Sequence, residues 1–262
     1  MKKKIAALSM AACMAASVTA CGGSKPAETT AAATEAETTA AESAAEESSA
    51  EETKAAADIE TVTPGKLTVA TSPDFAPYEF YAIGEDGTPN LSGFDMDLAQ
   101  YIADYLGLEL EVVTVDFDGV ISELQTKSVD LGMAGLSPDE KRMGIMDFSD
   151  LYYMGGQSLV TAKDNAEKYN SFEAINKPDV SVGAQVGSIQ MDLANENSPE
   201  ADIVGLPKVT DIISELLTGK MDAAYIETDV AKSYQKNYPE LTLVMDVPYD
   251  AEGSAIGVCK GN

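Results

Sequence analysis

The chain has 262 residues, of which 44 are acidic and 17 are basic, so its formal net charge is −27 at pH 7. This charge opposes binding to nucleic acid or to an anionic membrane surface. Histidine is absent from the sequence, which excludes Ser/His and Cys/His nucleophiles and every His-ligated zinc site. We predict no cofactor, no metal site and no nucleic-acid partner.

Residues 1–20 have the pattern of a secretory signal peptide. Three lysines follow Met1, and the apolar run over residues 5–20 is shorter than the roughly 20 residues that a membrane-spanning helix needs. Small residues precede Cys21, as in the cleavage sites of lipoprotein signals. We therefore predict that Cys21 becomes the new N-terminus and carries a lipid such as palmitate. The alternative is an ordinary signal-peptidase site, with Cys21 as an incidental thiol.

Residues 21–64 are predicted to be a linker. From residue 22 to residue 57 the sequence consists almost entirely of Ala, Thr, Ser and Glu, with no aromatic residue. A segment of this composition cannot bury enough apolar surface to fold. We expect an acidic, solvated tether between the lipid anchor and the folded part.

After residue 64, short apolar strands alternate with amphipathic helices, which predicts an α/β fold. Helix 93–106 places Leu98, Ile102 and Leu106 at steps of four, and Gly107 ends it. Such strand–helix–strand units form a parallel sheet. The first lobe is predicted to contain strands 66–71, 108–115 and 129–134 and helices 93–106 and 118–124.

A second set of elements predicts a second lobe. Its strands are predicted at 157–162, 180–186, 203–206, 221–226 and 241–245, and its helices at 189–194, 210–217 and 230–238. A last strand at 255–258 would return the chain to the first lobe, so two crossings would form a hinge. The predicted boundaries are 65–156 plus 249–262 for lobe I and 157–248 for lobe II.

Six segments carry a resemblance to a known family. They are TSPDFAPYEF at 71–80, GFDMDLAQYIADYLG at 93–107, FDGVISELQTKSVDLGMAGLSPDEKR at 117–142, MDFSDLYY at 146–153, VGAQVGS at 182–188 and MDAAYIET at 221–228. In this order they resemble the solute-binding proteins of polar amino-acid ABC transporters, family 3 of the extracellular solute-binding proteins. The resemblance implies a two-lobed, type II periplasmic-binding-protein-like fold, with the ligand in the interlobe cleft.

The resemblance also implies a function. The chain would be a solute-binding lipoprotein, not an enzyme, anchored at the extracytoplasmic face of the cell membrane. It would act as a monomer that captures an amino acid and delivers it to an ABC permease and its ATPase subunits. Two alternatives are an enzyme similar to cyclohexadienyl dehydratases, which use carboxylates as general acids, and a receptor that senses an amino acid.

Arg142 is the first candidate for binding because it is the only arginine in the chain. A guanidinium meets a carboxylate with two parallel hydrogen bonds, which an ammonium cannot do. We predict that Arg142 binds the carboxylate of the ligand. The alternative is a surface arginine on the short helix that residues 137–140 are predicted to begin.

The loop before Arg142 has two predicted tasks. Ser137 precedes a proline, which favours an N-cap at a helix start, and Gly135 allows close approach of the backbone to a small molecule. By resemblance, the Gly135 carbonyl and the Ser137 hydroxyl accept from the ligand's α-ammonium. In the second lobe, amide groups at Ser188 and Ile189 would help to hold the α-carboxylate; the alternative there is an ordinary tight turn.

By resemblance, Glu227 occupies the position of an Asp that pairs with the α-ammonium, with one more methylene. Asp229 is the fallback for that role. Phe75 and Phe117 match the two apolar walls that sandwich the ligand, and the alternative for both is a place in the core.

Two further points concern specificity and length. Binders of basic amino acids have an acidic residue where this chain has Ser72, which argues against a cationic ligand, although Asp74 is nearby. Chains of this family usually continue past the final predicted strand into a helix that packs on the first lobe. We therefore expect either a truncated sequence or exposed apolar surface on that lobe.

Overall fold

The computed structural model describes residues 59–250 and 253–261. The predicted signal peptide, Cys21 and nearly all of the linker lie outside these residues. In the part that is described, no helix is both long and apolar enough to cross a membrane.

The strands of the described part are short. They are β1 (Lys66–Thr71), β2 (Asp74–Phe75), β3 (Glu79–Ile83), β4 (Pro89–Ser92), β5 (Glu109–Thr114), β6 (Leu131–Gly132), β7 (Met146–Phe148), β8 (Gln157–Ala162), β9 (Ser181–Gln185), β10 (Asp202–Leu206), β11 (Ala223–Glu227), β12 (Leu241–Val247) and β13 (Gly257–Cys259). The helices are α1 (Phe94–Leu106), α2 (Phe117–Gln125), α3 (Glu140–Met143), α4 (Phe172–Ile175), α5 (Ile189–Asn197), α6 (Val209–Thr218) and α7 (Thr228–Asn237), with a 3₁₀ turn at Lys163–Asn165.

The first sheet has the strand order β5-β1-β6-β13-β7. β1 pairs in parallel with β5 and β6, and β13 is antiparallel to both β6 and β7. The parallel pairs require crossovers, which α1 and α2 supply. β6 is shorter than the predicted strand 129–134, because the chain turns away at Gly135, whose φ is +56°.

The second sheet has the strand order β10-β9-β11-β8-β12. β9 is parallel to β10 and β11, whereas β8 is antiparallel to β11 and β12. α6 covers this sheet with a stripe of buried residues at helical spacing, Val209, Ile212, Ile213 and Leu216. Every strand predicted for the second lobe lies in this sheet, and the lobe boundaries themselves stay a prediction.

A small antiparallel sheet, β2-β3-β4, was not predicted. Its strands have two to five residues, and Pro89 with the charged Glu79 obscures their alternation. Phe75 in β2 and Tyr78 in the turn between β2 and β3 pack in one apolar cluster with residues of α6 and β11. The small sheet therefore joins the core of the second sheet to the first part of the chain.

The chain passes between the two large sheets twice, after β7 and after β12. The two crossings are hydrogen-bonded to each other. Ser254 N donates to Tyr153 O over 2.8 Å and Tyr152 N donates to Ser254 O over 2.9 Å, and the Tyr249 hydroxyl donates to Gly155 O over 2.9 Å. Gly253 precedes the bridge at Ser254 with φ +149°, and a Cβ there would lie 2.4 Å from the Tyr153 carbonyl oxygen. The crossings therefore form one strip between the sheets.

The start of the short helix α3 corrects one prediction. Asp139, not Ser137, is its N-cap: the Asp139 carboxylate accepts from Arg142 N over 2.8 Å. The prediction was wrong because Asp139 is still extended, with φ −123°, so the helix begins three residues after Ser137. Asp139 also pairs with Arg142 Nε at 3.3 Å, which connects the cap to the candidate site.

Candidate functional site

One cavity brings together residues of the second sheet and of the small sheet with residues of the helices and loops that follow strands of the first sheet. Of the predicted binding residues, Phe75, Phe117, Gly135, Ser137, Arg142, Ile189 and Glu227 line it. Its other lining residues are Tyr78, Gly155, Gln157, Gln185, Gln190, Tyr249, Gly253 and Ser254. Arg142 and Glu227 are the only charged residues in this lining, so the cavity presents one positive and one negative group.

The guanidinium of Arg142 is buried and directed into the fold. Nη1 donates to Ser137 O over 2.9 Å, Nη2 donates to Gly187 O over 3.0 Å, and its central carbon lies 5.5 Å from the centroid of the Phe117 ring. The side chain is 6% exposed, and this burial lowers its pKa, which nearby Asp139 and Asp192 partly counteract. Since a guanidinium has five N–H groups, donors on Nη1 and Nη2 are left for another acceptor.

Glu227 ends β11 and caps α7. Its Oε2 accepts from Val230 N over 2.8 Å, whereas its Oε1 is buried and has no hydrogen-bond partner within the described ranges. Gly155 lies against this oxygen, since a Cβ there would be 2.8 Å from Oε1. Burial raises the pKa of Glu227 to about 6, against the opposing hydrogen bond from Val230. One carboxylate oxygen is thus available at the cavity.

Asp229, the fallback for the same role, is not in the cavity lining. Its carboxylate accepts from the Tyr153 hydroxyl and, over 3.0 Å, from Lys232 Nζ. The hydrogen bond from Tyr153 is the main reason that its pKa is lowered. Both of its oxygens are therefore engaged elsewhere.

The aromatic walls and Gly135 meet at one side of the cavity. The ring centroids of Phe75 and Tyr78 are 5.4 Å apart, and the Tyr78 hydroxyl is another buried group without a partner in the described part. A Cβ on Gly135 would lie 2.9 Å from Phe75 Cε1. Close packing as well as its positive φ therefore explains glycine at this position.

Two predicted residues are not brought to the cavity. Ser188 caps α5: its hydroxyl donates to Gln185 O over 2.7 Å and accepts from Met191 N over 3.3 Å. Ser72 lines a separate depression, and its hydroxyl donates to Asp74 Oδ1 over 3.1 Å. Local hydrogen bonds thus hold both hydroxyls; the prediction for Ser188 concerned its backbone amide, which donates to Gln185 O over 3.3 Å. The ligand-binding roles of the other predicted residues stay predictions.

The glutamine side chains of the cavity were not predicted from the sequence. Gln190 Nε2 donates to Gln157 Oε1 over 2.8 Å, and Gln185 Nε2 donates to Pro207 O over 3.1 Å. Gln157 begins β8 and Gln190 lies in the first turn of α5, positions at which a polar residue has no special meaning in the sequence. Tyr78 did carry a signal, because it lies inside the motif TSPDFAPYEF.

Comparisons with known proteins show the family of the chain. The family model "Bacterial extracellular solute-binding proteins, family 3" matches residues 67–246. The chain is 35% identical over 199 residues to the arginine-binding extracellular protein ArtP of Bacillus subtilis, covering 74% of each protein. It is 28% identical to a cyclohexadienyl dehydratase of Pseudomonas aeruginosa, covering 69% of this chain and 66% of the relative.

Solved structures show the same fold. An amino acid ABC transporter substrate-binding protein, AbpA from Streptococcus pneumoniae, bound to L-arginine, aligns with a TM-score of 0.72 and 34% identity, covering 75% of this chain and 82% of that one. The predicted type II periplasmic-binding-protein-like fold is confirmed. The chain belongs to family 3 of the bacterial extracellular solute-binding proteins.

Proposed function

We propose that the chain is an extracytoplasmic binding protein that captures an amino acid and delivers it to an ABC permease. The observation that carries the proposal is that the cavity is lined by one guanidinium, Arg142, and one carboxylate, Glu227, while the rest of its lining is uncharged. An α-amino acid has the opposite pair of charges at a fixed short distance. The relatives named above include proteins described as binding arginine.

In this proposal each end of the zwitterion meets its own set of groups. The α-carboxylate accepts from the free N–H groups of Arg142 and from amides at the start of α5, where the helix dipole also favours an anion. The α-ammonium donates to Glu227 Oε1, the Gly135 carbonyl and the Ser137 hydroxyl. Phe75 and Phe117 enclose the apolar part of the ligand.

Capture requires the two large sheets to move apart, so that the ligand can enter, and then to close around it. The cavity has a free volume of about 10 Å³, room for about one water, so an amino acid enters only when the lining opens. Several contacts join the two sides: Arg142 to Gly187 O, Lys141 to Asp192 at 2.8 Å, and Asp74 to Val209 N. Contacts of this kind favour the closed form, since they exist only when both sides meet.

The contact between Asp74 and α6 predicts an effect on affinity at a distance from the cavity. The Asp74 carboxylate accepts from Val209 N at the start of α6, and Tyr234 donates to Asp74 O over 2.8 Å. Asp74→Ala removes a charge-assisted bond of the closed form, so we expect amino-acid binding to weaken about tenfold. Isothermal titration calorimetry measures the affinity, and small-angle scattering reports the opening.

Ser72→Ala is the matched control for Asp74→Ala. It removes the hydroxyl that donates to Asp74 Oδ1 but leaves the contact with α6 in place. We expect its affinity to stay within about twofold of the wild type, since a neutral hydrogen bond contributes little net stability. A larger loss for Ser72→Ala than for Asp74→Ala would instead place Ser72 at the ligand and contradict the contact with α6 as the cause.

The raised pKa of Glu227 predicts a pH dependence. The carboxylate pairs with an ammonium only when it is ionised, and its pKa is raised to about 6 by burial. We therefore expect affinity to fall as the pH drops below 6, approaching about tenfold per pH unit. Titrations between pH 5 and pH 8 should show this fall in the wild type, whereas Glu227→Gln should bind weakly with a flat profile. Asp229→Asn should still show the fall, moved to lower pH because the charge of Asp229 helps to raise the pKa of Glu227. A flat profile for Asp229→Asn would transfer the role to that residue.

The function itself is tested by a ligand panel. The purified protein is unfolded in denaturant, dialysed and refolded to remove any bound solute, and then titrated with the common amino acids and cystine. We expect one amino acid or one small group to bind with micromolar affinity, about −8 kcal/mol. L-Arginine and L-glutamine are the informative pair, because Glu227 is the only carboxylate in the lining and a cationic side chain calls for a second. Failure of every amino acid to bind would contradict the proposal.

Location and anchoring are part of the same proposal. Removal of residues 1–20 and lipidation of Cys21 would hold a monomer at the extracytoplasmic face of the cell membrane. Labelling of cells with a radioactive fatty acid should mark the wild type and not Cys21→Ser. Equal labelling of the wild type and of Cys21→Ser would mean that Cys21 is an incidental thiol and carries no lipid.

An enzyme on the same fold is the second candidate, and one observation favours it. Glu227 has a raised pKa in a buried cavity, as a general acid requires, and a relative is a cyclohexadienyl dehydratase. Incubation with prephenate decides between the two functions. Turnover that Glu227→Gln abolishes would establish the enzyme.

A further inference from the structure

Two carboxyl groups lie buried together outside the cavity. Glu79 belongs to β3 and Asp95 to the first turn of α1, and both residues are 0% exposed. Neither residue lines the cavity, but Asp95 contacts one that does: its Oδ2 accepts from Gly135 N over 3.2 Å. The same oxygen accepts from the Tyr152 hydroxyl over 3.0 Å.

If both groups were ionised, the pair would have more hydrogen-bond acceptors than donors. Both oxygens of Glu79 and Oδ1 of Asp95 meet no N–H or O–H donor in the part of the chain that the structure describes. The two residues are neighbours in the fold, because Asp95 N donates over 3.0 Å to the carbonyl oxygen of Tyr78, the residue before Glu79, and Asp95 is among the groups that raise the pKa of Glu79. Two carboxylates have no proton to share, and unpaired buried charges are strongly unfavourable. If one of the two groups is protonated, its O–H can donate a hydrogen bond to the carboxylate of the other.

The surroundings decide which group holds the proton. Asp95 has two donors, and its place in the first turn of α1 favours a negative charge. Among the residues that the structure describes, no cation acts on Glu79: the charged or titratable side chains that act on it are Asp95 and Asp74, both acidic, with Tyr152 beside the pair. Burial, then Asp95 and Asp74, raise the pKa of Glu79 well above its usual range, whereas that of Asp95 is raised by burial only to about 6.

We propose that Glu79 stays protonated at neutral pH and donates to Asp95, and that this pair positions the backbone of Gly135 at the cavity. The second half rests on the proposed function, because it gives Gly135 a place at the ligand. Glu79 and Asp95 are positioning residues: neither touches the ligand. The proton is a permanent part of the fold, held where the small sheet, α1 and the loop at Gly135 meet.

The first experiment needs no ligand and uses Glu79→Gln, which is always neutral and keeps a donor for Asp95. A carboxyl group whose pKa is raised by folding gives its full stability below its unfolded pKa and loses it as the pH rises towards the folded value. The wild type should therefore lose stability from pH 5 to pH 8 in a way that the variant does not. We expect Glu79→Gln to melt at a higher temperature than the wild type at pH 8, with the gap closing near pH 5.

Glu85→Gln is the matched control, because Glu85 is exposed and its replacement should leave the pH dependence of the wild type unchanged. A gap between Glu79→Gln and the wild type that is the same at every pH would mean that Glu79 is ionised in the fold. A Glu79→Gln variant that is less stable than the wild type at pH 8 would also overturn the shared proton.

The second experiment tests positioning by hydrogen exchange of the Gly135 amide, again without ligand. Asp95→Asn loses the charged acceptor, so exchange should be at least about tenfold faster, whereas Glu79→Gln should exchange like the wild type. Tyr152→Phe removes the other donor to Asp95 but leaves the acceptor of Gly135 N in place, so its exchange should stay close to that of the wild type. Unchanged exchange in Asp95→Asn would contradict the positioning role. If L-arginine binds the wild type, its affinity should fall in Asp95→Asn and stay close to the wild-type value in Glu79→Gln and Tyr152→Phe.

Discussion

Replacement of Arg142 by alanine is expected to weaken amino-acid binding by at least about 100-fold, or about 2.7 kcal/mol. The guanidinium is buried, lines the cavity and has N–H groups left after its bonds to Ser137 O and Gly187 O. Its removal would leave the carboxylate of the ligand buried without a cation. Isothermal titration calorimetry with the amino acid identified in the panel measures the loss.

Two further variants make the result specific to the guanidinium. Arg142→Lys keeps the charge but not the planar fork, so we expect it to recover only a small part of the affinity. Lys141→Ala removes the neighbouring cation, which is exposed and pairs with Asp192, and should stay within about threefold of the wild type. Circular dichroism must show that Arg142→Ala is folded, and wild-type affinity in that folded variant would refute the site.

Gly93→Ala is expected to cause the largest loss of stability among single glycine substitutions, about 3 kcal/mol or more. Gly93 precedes α1 with φ +127°, and a Cβ there would lie 2.0 Å from the Tyr78 carbonyl oxygen. Neither atom has room to move, since Asp95 N donates to that same carbonyl over 3.0 Å. Urea denaturation followed by circular dichroism gives the free energy of unfolding.

Gly107→Ala is the control at the other end of α1. Gly107 also has a positive φ, +67°, but a Cβ there would meet no atom within 4 Å. Only the backbone preference is lost, so we expect a decrease of about 1 kcal/mol. Equal losses for Gly93→Ala and Gly107→Ala would mean that the contact with the Tyr78 carbonyl has no effect on stability.

The helices could be predicted from the sequence because their periodicity is local. For α1, Leu98, Ile102 and Leu106 indicated the correct helix, yet the fully buried face is formed by the smaller Ala99 and Ala103. The spacing of apolar residues therefore located the helix, whereas the depth of each residue depended on the sheet beneath it. The small sheet could not be found in this way, because its strands are stabilised by their position between α1 and α6 rather than by their own pattern.

The residues of the candidate site also fall into those that local sequence could predict and those that it could not. The backbone motif around Gly135 and the lone guanidinium of Arg142 could be chosen from residue chemistry and from family resemblance. Gln190 enters the cavity only through the packing of distant segments, so no local pattern marks it, whereas Tyr78 is marked only by its place in the motif TSPDFAPYEF. Ser188, for its amide, and Ser72 were chosen for their motif positions, but both hydroxyls and the Ser188 amide are engaged by nearby groups. Local hydrogen bonding decided the orientation of both side chains.

The bridge between Tyr153 and Ser254 has a consequence for how the protein moves. Because the two connections are hydrogen-bonded to each other, we expect them to bend together, so that one sheet rotates against the other about one axis near that bridge. A spin-label pair with one label on each sheet should therefore give two separate distance peaks whose areas change with ligand concentration. A single broad peak that drifts with concentration would indicate that the connections flex independently.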